Sequence, residues 1–214
     1  EAFYANRPDE HKLYYHIRDG LHTFRAGLTK THTLWLDVSG SAESESLLLS
    51  EPVASCSPEW IEDSGALRGL AVRHRSKFPG YDEALTQGIA RFNSATDSRR
   101  EYGIMNFGDW FGERRYNWGN LEYDLHHVMF TQFARTGDAR FFRIGSDIAR
   151  HSGDIDTRHY AKNAAQVGQQ WTHCMGHTGG YYPATWNNMK IYADRGWSDN
   201  RGHIWNRGLL EHYL

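Results

Sequence analysis

The 214-residue chain has 24 Lys+Arg against 26 Asp+Glu, a formal charge of −2, which supplies no broad basic field and argues against nucleic acid or an anionic membrane as partner. Its apolar runs are only a few residues long, as at Leu47 to Leu49, so none spans a bilayer, while 23% charged and 14% aromatic residues exclude a disordered chain. The length suits one large domain or two small ones, and two cysteines, Cys56 and Cys174, are too few for a disulfide scaffold and leave the redox compartment open.

Residues 1 to about 75 read as β-structure. Leu13, Tyr15 and Ile17 alternate with polar neighbours before the turn signal Asp19-Gly20, and Leu34, Leu36 and Val38 alternate again before Ser39-Gly40. Leu70 and Val72 make a third, shorter candidate, and the polar stretch Ser39 to Ser46 reads as a loop. From Tyr81 the period changes: Tyr81, Leu85, Ile89 and Phe92 line one face of a helix that begins after Pro79-Gly80.

An αα-hairpin is the clearest local prediction. Asn120 is a good N-cap, with Leu121, Leu125, Val128, Met129 and Phe133 as the buried stripe of the first helix. Gly137 supplies a left-handed stop, and Asp138 caps a second helix carrying Phe141, Ile144 and Ile148. A further helix start at Gly202 to His212 echoes Trp118 to His127 in aromatic, Gly and His content, which points to repeated helical hairpins as in an α/α toroid, with a plain bundle as the alternative. Residue 1 is Glu with no signal segment after it, and Leu209 to Leu214 open a helix without a stop signal. The expectation is an internal piece of a longer polypeptide. The expected fold class is therefore α+β: the end of a β-rich domain over residues 1–78, then the opening helices of a truncated α/α toroid over 79–214.

Two clusters carry the candidate chemistry. Residues 102 to 124 interleave glycines with polar and aromatic groups, a composition no regular element demands, and Asn106, Asp109, Trp110, Arg114 and Trp118 are expected to line a groove for a polyhydroxylated, acidic ligand. Asp109 and Glu122 have a plainer alternative as helix caps or partners of Arg. Eight Trp and twelve Tyr supply flat faces suited to sugar rings, with simple core packing as the plainer alternative, and 19 of the 24 basic residues are Arg, the planar fork that grips carboxylates, a ratio that a biased genome would also give. The second cluster, residues 151 to 182, holds His159, His173, His177, Tyr181 and Tyr182, all able to move protons. His173 and His177 have the spacing of a helical metal pair, but Gly176 and Gly179-Gly180 oppose a long helix and no acidic residue lies between them. Proton transfer is the preferred reading, with metal binding and structural hydrogen bonding as alternatives. The sequence requires no cofactor and leaves a divalent cation open. A Lys-bearing phosphate loop, a Gly-x-Ser-x-Gly elbow and a Cys-x-x-Cys pair are all missing, which lowers the case for a nucleotide enzyme, a serine hydrolase or a thiol redox protein.

The blocks Asn106-Phe-Gly-Asp109, Trp118 to Asp124, Arg135-Thr-Gly-Asp138, Ala149 to His159, Gly176-His-Thr-Gly-Gly-Tyr181 and Gly202 to Glu211 resemble the rhamnogalacturonan exolyase-like polysaccharide lyases, with a looser likeness at Gly27 to His32. The resemblance implies an N-terminal β-domain, a central α/α toroid and further β-domains, a secreted or periplasmic location, and β-elimination on a uronic acid in an acidic polysaccharide. That reaction needs a base for the C5 proton, neutralisation of the adjacent carboxylate and a proton for the O4 leaving group. The resemblance implies His177 or His159 as base, with His173 in the same cluster, and Tyr181 or Tyr182 as acid. Asn120, Arg158 or Arg114 would hold the carboxylate, and Glu122 would lie beside them. Galacturonate in rhamnogalacturonan is the first substrate expectation and a sulfated uronate polymer such as ulvan the second. The alternatives are a glycoside hydrolase on a toroid, with carboxylates drawn from Asp109, Glu122, Asp124, Asp154 and Asp156, and a non-catalytic carbohydrate-binding fragment with Trp110 and Trp118 as platforms.

Overall fold

The computed structural model describes residues 26–34, 36–38, 52–67, 69–73, 77–103, 106–113, 117–118, 124–168, 170–171 and 197–198. Four α-helices dominate them: α1 (Pro58–Ser64), α2 (Pro79–Arg99), α3 (Leu125–Thr136) and α4 (Ala139–His151). α4 runs on into a π-helical turn, Ser152–Asp156, and Ala164–Gln166 forms a single 3₁₀ turn. Strands among the described residues are limited to two short antiparallel pairs, β1 (Phe111–Glu113) with β2 (Asn117–Trp118) and β3 (Gln170–Trp171) with β4 (Trp197–Ser198).

The expected α+β class, with an N-terminal β-sheet remnant, is not what forms. Leu34, Leu36 and Val38 alternate as a strand should, yet they are 89%, 89% and 92% exposed and belong to no strand. Alternation marks a face to be buried, and nothing among the described residues buries this one. Leu70 and Val72 are not in a strand either; their segment instead docks on the helices, where the Arg73 N–H donates to the carbonyl of Arg135 at 3.2 Å. Ahead of them α1 is capped by Ser57, whose hydroxyl accepts from the Trp60 N–H, and Pro58 occupies its first turn, where a missing N–H costs nothing. Leu13 to Gly20 and the loop Ser39 to Ser46 lie outside the described residues.

The helical expectations fare better because a helix needs only its own residues. α2 starts at Pro79, buries Ile89 and lays Leu85 and Phe92 against the core. Gly137, at φ +71°, ends α3 in the left-handed region, and the Asp138 carboxylate accepts from the Arg140 N–H to start α4. Phe141, Ile144 and Ile148 are buried with Ile89, and Leu125, Met129 and Phe133 pack on them. α3 and α4 approach closely where Gly145 lies against Phe130 and Met129, since a Cβ there would lie 3.0 Å from Phe130 Cε1. Two details differ from expectation. α3 begins at Leu125 after Asp124, itself left-handed at φ 50°, while the expected cap Asn120 lies outside the described residues. Val128, placed by periodicity in the buried stripe, is 40% exposed, because α3 turns that side away from α4.

α2 is tied to α3 by a buried ion pair. The Arg135 guanidinium donates to Asp82 Oδ1 at 2.7 Å and to Gln132 Oε1 at 3.1 Å, and stacks over the Tyr81 ring at 5.1 Å. Gln132 Nε2 in turn donates to the Tyr81 hydroxyl. Removing one partner of a buried pair strands the other charge. Asp82→Ala is expected to destabilise the fold by about 3 kcal/mol or more in urea unfolding, well beyond the value for an exposed pair.

Candidate functional site

The site is built where α4 ends. Ser152 and Gly153 are weak helix formers, and the chain leaves α4 through the π-helical turn Ser152–Asp156, closed by the Thr157 hydroxyl donating to the carbonyl of Ser152 at 2.8 Å. All five residues of the turn are buried. The wider turn carries two carboxylates, Asp154 and Asp156, into the interior.

Against this turn lies the loop Asn106 to Trp110. The carbonyl of Gly103 accepts from the N–H groups of Asn106 and Phe107, and Asn106 in turn accepts from the Asp109 N–H. Gly108 stands at φ +86°, and a Cβ there would overlap the Asp147 carbonyl and lie 2.9 Å from His151 Cβ, so only glycine lets the loop reach the backbone of α4. His151 Nδ1 is 3.1 Å from the Phe107 carbonyl, which can only accept, so Nδ1 carries a proton. His151 Nε2 then faces Asp156 Oδ2 at 3.5 Å and Asp109 Oδ2 at 3.8 Å, with all three side chains fully buried. Burial first, and then the neighbouring Asp156 charge, hold the Asp109 carboxyl well above the usual carboxylate range, against the Trp110 N–H that favours its ionised form. Three titratable groups thus meet inside the fold, and their visible work is to fasten loop to helix.

Asp154 performs a second fastening. Its Oδ2 accepts from the Thr31 N–H at 2.6 Å and its Oδ1 from the Thr31 hydroxyl at 2.9 Å, while its carbonyl accepts from the Thr29 N–H at 3.0 Å. One turn later the His159 N–H donates to the Gly27 carbonyl at 2.8 Å, and His159 Nε2 is 2.6 Å from the Gly153 carbonyl. Residues 26–31, distant in sequence, are therefore strapped across the turn. Lys30, within this strap, sits over the Phe107 ring with its ammonium 5.6 Å from the centroid.

Beside the loop is a cleft of about 270 Å³ between α2 and α4, lined by Phe92, Asn93, Thr96, Asp97, Tyr102, Phe107, Gly108, Asp109, Asp147 and the core residues Ile144 and Ile148. The Tyr102 hydroxyl donates to Asp97 in a short hydrogen bond at its wall. Behind it Glu101 is buried, and desolvation pushes its carboxyl up to about 7 despite Arg99 at 3.5 Å.

Of the residues expected from sequence to form the site, the structure brings Asn106, Asp109 and Trp110 into one loop over the π-helical turn, with Arg158 and His159 leaving that turn. Asn106 is 1% exposed, and neither polar atom of its amide has a hydrogen-bond partner among the described residues; the same holds for the Trp110 indole N–H. Trp118 lies in β2, paired with Phe111. Arg114, Asn120, Glu122, His173, His177, Tyr181 and Tyr182 fall outside the described residues. His151, Asp154 and Asp156 gain positions the sequence reading did not give them. The available signal was the run His-Ser-Gly-Asp-Ile-Asp, whose two carboxylates flank an apolar residue next to weak helix formers. Among the described residues no group of three or more His, Cys, Asp or Glu is arranged to hold a metal ion.

The described fold supplies one helical hairpin, α3 with α4. A family model, the PcRGLX-like protein C-terminal alpha/alpha toroid domain, matches residues 51–177, more than half of the chain. The chain belongs to this rhamnogalacturonan lyase-like toroid family. The match begins within the stretch read from sequence as β-structure, in agreement with the helix found there, and its description places the toroid C-terminally rather than centrally. No curated protein and no solved structure matches the chain.

Glu101 yields a pH prediction. Its carboxyl titrates higher in the folded chain than in the unfolded one, so its proton favours the fold at low pH and that contribution is lost as pH rises from 4.5 to about 7. Glu101→Gln is expected to melt above the parent chain at about pH 8, with the gap closing on acidification to the ordinary glutamate range. Thermal melts of both proteins across that window check it.

Proposed function

We propose that the chain is part of a polysaccharide lyase that cleaves a uronic-acid-containing glycan by β-elimination. The observation that carries this reading is the match of residues 51–177 to the rhamnogalacturonan lyase-like toroid domain. In the reaction a base takes the C5 proton of the uronate, electrons flow into the C4–C5 bond as the C4–O4 bond breaks, and O4 leaves with a proton supplied by an acid. His177 is the first candidate base and His159 the second, with His173 in the same cluster, and Tyr181 or Tyr182 is the acid. Arg114, Asn120 and Arg158 are candidates for holding the carboxylate, with Glu122 beside them, and Asn106, Trp110 and Trp118 for binding the sugar chain. The substrate is an acidic polysaccharide, rhamnogalacturonan-type pectin first and an ulvan-like polymer second, met in a secreted or periplasmic setting.

One structural observation weighs against the hydrolase alternative. That chemistry needs two carboxylates facing the scissile bond, with room for a sugar between them. Asp109 and Asp156 are sealed around His151, and Asp154 is engaged with Thr29 and Thr31, so three of the five candidate carboxylates already serve the fold. An eliminating enzyme leaves a 4,5-unsaturated product that absorbs in the near ultraviolet. Incubating the full-length protein with rhamnogalacturonan is expected to raise that absorbance, and appearance of saturated reducing ends alone would sink the reading. His177→Ala is expected to lower turnover by about 10² to 10⁴ with the melting temperature kept, as for loss of a positioned base. Activity within a few-fold of the parent would pass the role to His159.

A further inference from the structure

The cleft between α2 and α4 is built differently from the sealed carboxylates behind it. The last turns of α2 bring Asn93, Thr96 and Asp97 into its lining, three polar residues at the spacing of one helix face. The Asn93 amide and the Thr96 hydroxyl make no hydrogen bond among the described residues, and the exposed Asp97 carboxylate accepts there only from the Tyr102 hydroxyl. A carboxylate offers about four acceptor positions, so Asp97 keeps most of its capacity. The next wall is aromatic. Tyr102 and Phe107 have ring centroids 5.9 Å apart and planes inclined at 32°, two faces meeting at a shallow angle. Tyr102 is 58% exposed and nonetheless fixed: its hydroxyl donates to Asp97, its N–H to the Arg100 carbonyl, and the preceding Glu101 N–H to the Thr96 carbonyl. An exposed ring held in place beforehand loses little freedom when something stacks on it.

Ring faces beside amide, hydroxyl and carboxylate groups match the two surfaces of a pyranose, its C–H face and its hydroxyl edge. Charge then narrows the sugar. The lining holds Asp97, Asp109 and Asp147 and no Lys, Arg or His, and both Lys30 over Phe107 and Arg99 beside Glu101 lie outside it. A uronate carboxylate would enter against charge of its own sign. A cation is matched less well than a hydroxyl, because Asp109 is sealed against His151 and Asp97 already accepts from Tyr102. The volume of about 270 Å³ suits a single sugar ring rather than a length of chain. We propose that this cleft is a subsite for one uncharged pyranose of the substrate, its ring stacked on Tyr102 and its hydroxyls held by Asn93 and Asp97. This rests on the glycan read under Proposed function and adds to it a place for the neutral sugar between the uronates.

The test compares the full chain with Asp97→Ala, Tyr102→Ala and Tyr102→Phe by ligand-detected NMR titration. The probes are the methyl glycosides of rhamnose and galactose, both neutral, and of galacturonic acid and galactosamine. A neutral glycoside is expected to bind the parent chain more tightly than the acid or the amine does. Asp97→Ala is expected to weaken that binding about tenfold, as for loss of a hydrogen bond to a charged group. Tyr102→Ala is expected to weaken it several-fold, while Tyr102→Phe keeps the ring and most of the affinity, each variant at the parent melting temperature. Binding of neither neutral glycoside, preference for the acid or the amine, or affinity unmoved in both alanine variants overturns the subsite. Should the parent bind a neutral glycoside in a Tyr102-dependent way yet release no unsaturated product from rhamnogalacturonan, the subsite stands and the lyase reading fails. Unsaturated product released by both alanine variants at the parental KM gives the reverse.

Discussion

Gly108 lies against the main chain of α4, and that contact is the constraint from which the site is assembled. With no side chain at 108, the Phe107 carbonyl reaches His151 and Asp109 is driven into the interior beside Asp156. The burial of two carboxylates around one imidazole is costly unless protons are retained, and the raised titration of Asp109 is the expression of that cost. The loop is thereby held on one side of the helix end, while Asp154, two residues before Asp156, holds residues 29–31 on the other. A single π-helical turn thus gathers three stretches of chain that are far apart in sequence.

This arrangement separates structural from chemical carboxylates. Asp82 joins helices, Asp109 and Asp156 fasten a loop, and Asp154 fastens a strap. Beside them the Asn106 amide and the Trp110 indole N–H are buried without a hydrogen-bond partner among the described residues.

The family resemblance was legible in short blocks such as Asn106 to Asp109 and Ala149 to His159, and the matched range 51–177 takes in both. The N-terminal fold was not legible. Leu34, Leu36 and Val38 have the period of a strand, but a strand exists only with a partner, and partnership is not written in the strand's own residues. α1 was missed for a related reason: it is seven residues long, too short to display a buried periodic face, and its Ser57-Pro58 start was the one available sign.

The sequence by itself determined what depends on neighbours along the chain. It set the period that makes α2, the Thr136-Gly137-Asp138 corner between α3 and α4, and the apolar stripe of Phe141, Ile144 and Ile148, because helices close their own hydrogen bonds and bury one self-contained face. Only the tertiary structure decided that Asp109 and Asp156 meet across His151, that Asp154 receives a segment more than 120 residues away, and that Lys30 comes to lie over Phe107. Those are encounters between side chains of distant elements, fixed by close approach at Gly108 and by the lateral reach of a π-helical turn, and no local spacing encodes them.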